Sequence, residues 1–423
     1  MRPFAERKTT KRQFKSQFPL QLFPPAAHPL SHETISTDAE LRQICDELRK
    51  ADILSFDTEF VSEHTYRSEL CLVQVATREQ QFLIDPLAVR DMTPFWETLA
   101  EEGHETVAHA GREELNFSLT AVGKRPANFF DVQIAAGLVG MDYPAGYGSL
   151  LTKVLGVEPQ KGETRTDWRK RPLTPQQIHY ALEDVRHLIP LRDVFCKRLT
   201  NLKRMEWLSA EMETWQSEVE AARSRERWRR VSGISGLSPR SMAIVREVWR
   251  WREDEAERRD LPPKRVLRDD LIVELGRRKT ADPKQMRAVR GMEGDHLKRS
   301  LPLIGDAVER ALRLDDAELP RTPRREVPSQ INMLGQFLSS ALTSICHAAD
   351  LAPSIVGTAS DVRDLIAFRL GYGDETPPIL AHGWREEVVG HLIEDLLQGR
   401  VSIRIGNPLS DEPLVFEKIA TAK

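Results

Sequence analysis

Apolar positions recur along the chain with two periods, one of helices and one of strands. Residues 37–51, TDAELRQICDELRKA, set Thr37 and Asp38 before a helical apolar period, which predicts a capped helix. Three strand-like runs follow: ILSFDTEFV (53–61), LCLVQVAT (70–77) and QFLIDPL (81–87). Their spacing predicts neighbouring antiparallel strands in one sheet. From MTPFWETLAEEG (92–103) onward, helical segments alternate with short strands such as ETVAHA (105–110). A sheet followed by alternation predicts an α/β domain with a mixed sheet over about 33–205.

Beyond residue 205 the pattern is helical throughout and dense in Arg and Glu. The segment 206–237 is predicted as a helical linker, ending in the Gly/Ser/Pro-rich SGISGLSPRS (232–241). Apolar residues at helical spacing over 238–314 predict a small all-helical domain. A second linker, LPRTPRREVPSQ (319–330), leads into another helical unit, so that 330–423 forms a third domain. Its end, VSIRIGNPLSDEPLVFEK (401–418), alternates on both sides of a Gly-Asn-Pro turn and predicts a hairpin. The first 32 residues are basic and Pro-containing and are expected to form a disordered arm.

Composition narrows the classes of function. With 423 residues, 40% hydrophobic and 30% charged, the chain has the make-up of a soluble multidomain protein. No apolar run approaches the roughly 20 residues needed to span a bilayer, and no secretory signal is evident, so no membrane association is expected. The four cysteines, Cys45, Cys71, Cys196 and Cys346, form no CxxC pair. That argues against a zinc site or a disulfide framework and predicts a cytoplasmic protein. A net charge of -3 neither requires nor excludes a nucleic-acid partner.

Candidate chemistry starts in ILSFDTEFV. On a strand, residues two apart share a face, so Asp57 and Glu59 project together while Phe56, Thr58 and Phe60 take the other face. Two adjacent carboxylates repel unless a proton or a cation lies between them. A divalent metal site is one solution, and a solvated pair at a sheet edge is the other. Downstream, HYALEDVRHLIPL (179–191) predicts an amphipathic helix beginning after TPQQ, with Tyr180 and Asp184 four apart on one face. VAHAGREELNF (107–117) follows a short strand into a helix and offers Glu113 and Glu114.

FDTEF, HAGREEL and YALED stand in the order of the three motifs of the DEDD superfamily of exonucleases, tyrosine subtype. The wider text FDTEFVSEHTYRSELCLVQVA, FLIDPL, DVQIAAGLVG and KGETRTDWRKRPLTPQQIHYALEDVRHLIPL resembles the ribonuclease D family almost continuously over residues 35–205. VWRWREDEAERRDLPPKRVLRDDLI (248–272) resembles the HRDC module that ribonuclease D shares with RecQ-type helicases. GWREEVVGHLIEDLLQG (383–399) resembles a diverged second copy.

The resemblance implies a ribonuclease-H-like α/β exonuclease domain with a mixed sheet, followed by two small all-helical domains. It implies a 3′-to-5′ exoribonuclease that uses two divalent metal ions, Mg²⁺ or Mn²⁺, and releases nucleoside 5′-monophosphates. The implied substrate is RNA with a free 3′ end, tRNA precursors above all, and the implied state is a monomer. Asp57, Glu59, Glu114 and Asp184 would be the metal ligands, with Tyr180 orienting the attacking water. Glu114 stands where the family has aspartate, one methylene shorter, and Glu113 is the neighbouring donor. His179 satisfies the spacing of the histidine subtype, but a five-residue offset turns it about 140° from Asp184. Phe60 is a candidate to stack on the terminal base. His109, Lys161 and Arg165 are further substrate-binding candidates, together with Gln74 and Arg169, and Arg165 has Asp167 as a possible ion-pair partner. Basic side chains around LPPKRVLRDD (Arg258, Arg259, Lys264, Arg265, Arg268) offer either phosphate contacts or a solvated helical face. Two rival functions are a 3′-5′ DNA exonuclease and an RNA-binding protein with a degenerate site.

Overall fold

A computed structural model describes residues 31–159, 166–320, 328–373, 375–410 and 412–419. Most of the basic arm, including residues 1–30, and candidates Lys161 and Arg165 lie outside these residues.

The exonuclease-like domain is built on a six-stranded mixed sheet. Strand β1 (His32–Ile35) leads into helix α1 (Asp38–Leu48), whose Thr37 and Glu40 form the capping box that the sequence predicts. Strands β2 (Ile53–Val61), β3 (Glu69–Ala76) and β4 (Gln81–Ile84) form the expected antiparallel trio. Helix α2 (Thr93–Ala100), strand β5 (Glu105–Ala108), helix α3 (Arg112–Ala121), strand β6 (Phe129–Asp131) and helix α4 (Val132–Leu138) then alternate. Strand order is β1-β4-β3-β2-β5-β6, with β5 parallel to β2 and β6 parallel to β5. Phe56 faces Phe95, Trp96 and Phe129 in the core beneath α2, as the alternation of the strand requires.

After the short helix α5 (Tyr147–Leu150), helix α6 (Pro175–Arg186) covers the other face of the sheet. It starts earlier than predicted. Thr174 caps it, Gln177 closes a capping box, and Pro175 takes the first turn, where its missing N–H goes unneeded. The chain expected to continue as one helix breaks at His187. Pro190 then falls in the first turn of α7 (Leu188–Leu202), the only part of a helix that tolerates it well.

The segment predicted as a helical linker is mostly helix α8 (Met205–Ser224), and this helix packs into the domain through Leu208, Met212 and Val219. The first helical domain has its own core. It comprises α9 (Pro239–Arg259), α10 (Pro263–Val266), α11 (Asp269–Arg278), α12 (Pro283–Arg287), α13 (Asp295–Lys298) and α14 (Leu301–Arg313). It docks on the loop between β2 and β3: Asp260 Oδ1 accepts from the N–H groups of Tyr66 (3.0 Å) and Arg67 (3.2 Å). Arg67 also pairs with Glu257 at 2.6 Å, and Arg265 reaches His64 at 3.1 Å.

The last unit contains α15 (Ser329–Ala348), α16 (Pro353–Val356), α17 (Ala359–Arg369), α18 (Gly383–Arg385) and α19 (His391–Leu397). Its buried residues are continuous with the core of the exonuclease-like domain. Arg204 at the start of α8 donates to the carbonyls of Leu138, Ala349 and Asp350. Arg385 forms a bidentate pair with Glu211 at 2.7 and 2.8 Å. The predicted hairpin is present as β7 (Val401–Ile405) and β8 (Leu414–Lys418).

Candidate active site

The site forms where strand pairing stops. β2 pairs with β5 only from Ile53 to Ser55, so its edge is open from Phe56 onward. Such a parting, where a strand has different partners on its two sides, is where α/β sheets place their clefts. The chain leaving β5 turns sharply through His109-Ala110-Gly111 into α3. Ala110 adopts φ 54°, and a Cβ on Gly111 would come within 2.7 Å of the Phe129 ring. The buried Asp131 carboxylate clamps this turn by accepting from Ala110 N (3.2 Å) and Gly111 N (3.0 Å). The same carboxylate caps α4 through Gln133 N.

From the far side, α6 brings Asp184 over the sheet. One carboxylate oxygen from each of Asp57, Glu59 and Asp184 lies within 4.8 Å of the other two. Asp57 and Asp184 belong to a cleft of about 160 Å³ lined also by His109, Tyr147, Tyr180 and Leu188, and Glu59 stands beside them. Burial, then mutual repulsion, raises these acids: Asp57 through Asp184, and Glu59 up to about 9 through Asp57 and Asp184. Burial also raises Asp184 above the usual carboxylate range. Groups that must hold protons to coexist are poised for a cation. The all-oxygen donor set, without His or Cys, suits a hard divalent ion such as Mg²⁺ or Mn²⁺.

Glu114 reaches the site across the open edge of β2. It is buried, and its Oε1 accepts from the Thr58 hydroxyl at 2.6 Å. It also lies close to Asp57, and burial followed by the Asp57 charge raises its pKa to about 8. It therefore stands beside Asp57 and outside the group of three mutually close oxygens. Glu113 points elsewhere and accepts from Asn116.

Tyr180 faces the cleft, while His179 is exposed. Burial and the nearby Asp184 charge push the Tyr180 phenol well above its ordinary value, so it keeps its proton. Its hydroxyl, close to Asp184, favours the charged form of that carboxyl. His109 Nε2 lies 2.8 Å from the Ala145 carbonyl, so that nitrogen carries a proton; Gln133 donates to the same carbonyl at 2.9 Å. Phe60 packs edge-on against Phe117 at 5.7 Å on the α3 side.

Other candidates lie elsewhere. Gln74 is fully buried beneath α6 and does not line the cleft. Asp167 pairs with Arg169 at 2.9 Å. The basic residues of the first helical domain are engaged: Arg258 and Arg259 with Glu255, Lys264 with Asp269, Arg268 with Asp270, and Arg265 with His64. Tyr147 was not anticipated. It enters the cleft because its hydroxyl donates to the Glu183 carbonyl (3.1 Å), a contact across 36 residues that no local pattern signals.

A mixed sheet carrying acids on a strand, with an acid and a tyrosine on a crossing helix, is a frame suited to hydrolysis with divalent metal, and its match to a known family makes it a 3′-5′ exonuclease. The 3′-5′ exonuclease family matches residues 32–200, and the HRDC domain matches 241–308. Ribonuclease D of Nitrobacter hamburgensis is 33% identical over 383 residues, covering 88% of this chain and 97% of its own. Ribonuclease D of Desulfotalea psychrophila is 30% identical over 357 residues, covering 84% and 95%. The crystal structure of Escherichia coli RNase D, an exoribonuclease involved in structured RNA processing, superposes with a TM-score of 0.77 at 25% identity. It covers 88% of this chain and 99% of that one. The chain belongs to the ribonuclease D family and is a 3′-5′ exoribonuclease.

Proposed function

We propose that this exoribonuclease trims the 3′ ends of structured RNA, tRNA precursors foremost, with two divalent cations at the carboxylate cluster. The supporting observation is the convergence of Asp57, Glu59 and Asp184 on one another beside a cleft that presents Tyr180 and His109. Asp57, Glu59 and Asp184 would hold the cations, and Glu114 would support the site from beside Asp57. Bound cations of this kind supply Lewis-acid stabilisation of the phosphoryl charge and a nucleophile at neutral pH.

The remaining tasks fall to the protein. Tyr180, protonated at its hydroxyl, acts as a hydrogen-bond donor that orients groups around Asp184, and it is no base at neutral pH. His109, fixed by Ala145, forms the wall opposite α6. Phe60, set against Phe117, offers an apolar edge beside the acidic strand for a terminal base. Lys161 and Arg165 are proposed to contact the RNA backbone. The protein acts as a cytoplasmic monomer.

The purified protein is incubated with 3′-extended tRNA and with matched single-stranded DNA, in Mg²⁺, in Mn²⁺ and in chelator. Cation-dependent shortening of the RNA alone is expected. Degradation of the DNA would assign a DNA exonuclease, and tight RNA binding without shortening would assign a degenerate site.

A further inference from the structure

Gln74 is in register with Asp57 across the β2–β3 pair and with Leu83 across β3–β4. Directly paired residues project to the same face, with Cβ atoms roughly 5 Å apart. Gln74 therefore lies beneath α6, beside the first carboxylate of the site. It is fully buried, and neither its amide oxygen nor its amide nitrogen has a hydrogen-bond partner.

Its polar neighbours on that face have clear uses. Ser55 donates to the Val185 carbonyl at 3.0 Å, and Gln81 donates to the Leu182 carbonyl at 2.8 Å, so both latch α6 onto the sheet. Gln74 latches nothing. The surrounding Leu72, Leu83, Ala181 and Leu182 would accept a Met or Leu with better packing. A buried primary amide left unpaired is costly, so its partner belongs to another state of the site.

We propose that Gln74 is a positioning residue. In the cation-loaded site its amide N–H donates to the Asp57 carboxylate and holds that group in the ligating orientation. A carboxylate that coordinates through one lone pair retains others for such a donor, and outer partners of this kind set ligand geometry and affinity. Gln74 touches neither RNA nor cation. The inference rests on the cation-binding reading above and deepens it.

The test uses the full chain without RNA, so that no readout depends on catalysis. Mn²⁺ affinity is measured by calorimetric titration, and Tm of the cation-free protein by thermal unfolding, for wild type, Gln74→Met, Gln74→Leu and Asp57→Asn. Both Gln74 variants are expected to keep or raise the cation-free Tm while weakening Mn²⁺ binding about 10- to 100-fold. Trimming by Gln74→Met is then expected to recover at high Mn²⁺, with the cation requirement raised and kcat near wild type. Mn²⁺ affinity within twofold of wild type in either folded variant would overturn the proposal. So would loss of Tm and affinity together in both variants, which marks a purely structural residue. Wild type that binds Mn²⁺ and Asp57→Asn that does not keep the cation reading standing whatever Gln74 does. Wild type that binds no Mn²⁺ overturns both.

Discussion

Thr58 and Glu114 meet across 2.6 Å although the strand turns Thr58 away from the acids on either side of it. The contact is possible because β5 leaves β2 after Ser55 and α3 begins beside the exposed edge. The longer side chain at position 114 thus engages the opposite face of the catalytic strand while remaining next to Asp57. Thr58→Val removes the donor and leaves a buried carboxyl oxygen unpaired. A loss of about 1–3 kcal/mol in urea unfolding is expected. An unchanged midpoint would show that Glu114 finds another partner.

Stability of the cation-free protein should decline with pH. Asp57, Glu59, Glu114 and Asp184 are all raised above the ordinary carboxylate range by burial and repulsion, Glu59 up to about 9. Each binds its proton more tightly folded than unfolded. Its stabilising contribution is therefore complete below the unfolded pKa and lost as pH rises through the folded value. Tm in chelator is expected to fall between about pH 5 and about pH 9. Millimolar Mg²⁺ should raise Tm, and more at pH 8 than at pH 6, because binding opposes the same repulsion. Differential scanning fluorimetry across the range measures both trends.

Tyr180→Phe keeps the ring beside Trp168 and deletes the hydroxyl that favours the charged form of Asp184. A fall in kcat of roughly 10²-fold is expected, with KM for RNA little changed. Because the phenol stays protonated, the activity–pH profile should keep its shape. A profile that shifts in the variant would assign Tyr180 a proton-transfer role.

The junction between the first helical domain and the β2–β3 loop turns on Asp260, which combines a left-handed backbone with a carboxylate accepting two N–H groups. Asp260→Gly keeps that backbone relaxed while removing the acceptor. Faster protease cleavage within 225–238 and weaker trimming of structured RNA are expected, with short single-stranded RNA trimmed at the wild-type rate. Equal loss on both RNAs would mean that the loop itself shapes the cleft.

Much of this architecture was legible because it is local. The alternation in ILSFDTEFV, the Thr37 cap and the three consecutive antiparallel strands need no knowledge of distant residues, and all are present. The glycine of HAGREEL has a visible reason once Phe129 is seen against it. What escaped depends on tertiary contacts. Strand β1 is four residues long with three of them exposed, too short for its period to register. Tyr147 reaches the cleft, and Glu114 reaches Thr58, only through contacts between segments far apart in sequence. The burial of Gln74 likewise could not be separated from a substrate-facing role while only its segment was known.

Because α8 and α15 share one apolar core, the chain is not three beads in a row. The HRDC domain is in effect an insert, spliced into a globule whose N-terminal and C-terminal parts complete each other. A catalytic fragment made by stopping before α15 would strip Ile355 and the Ala352 N–H from Gly137, leave Glu211 without Arg385 and deprive Arg204 of two of its three carbonyls. Removing residues about 232–314 and rejoining the flanks would leave that globule whole. The minimal nuclease is discontinuous in sequence.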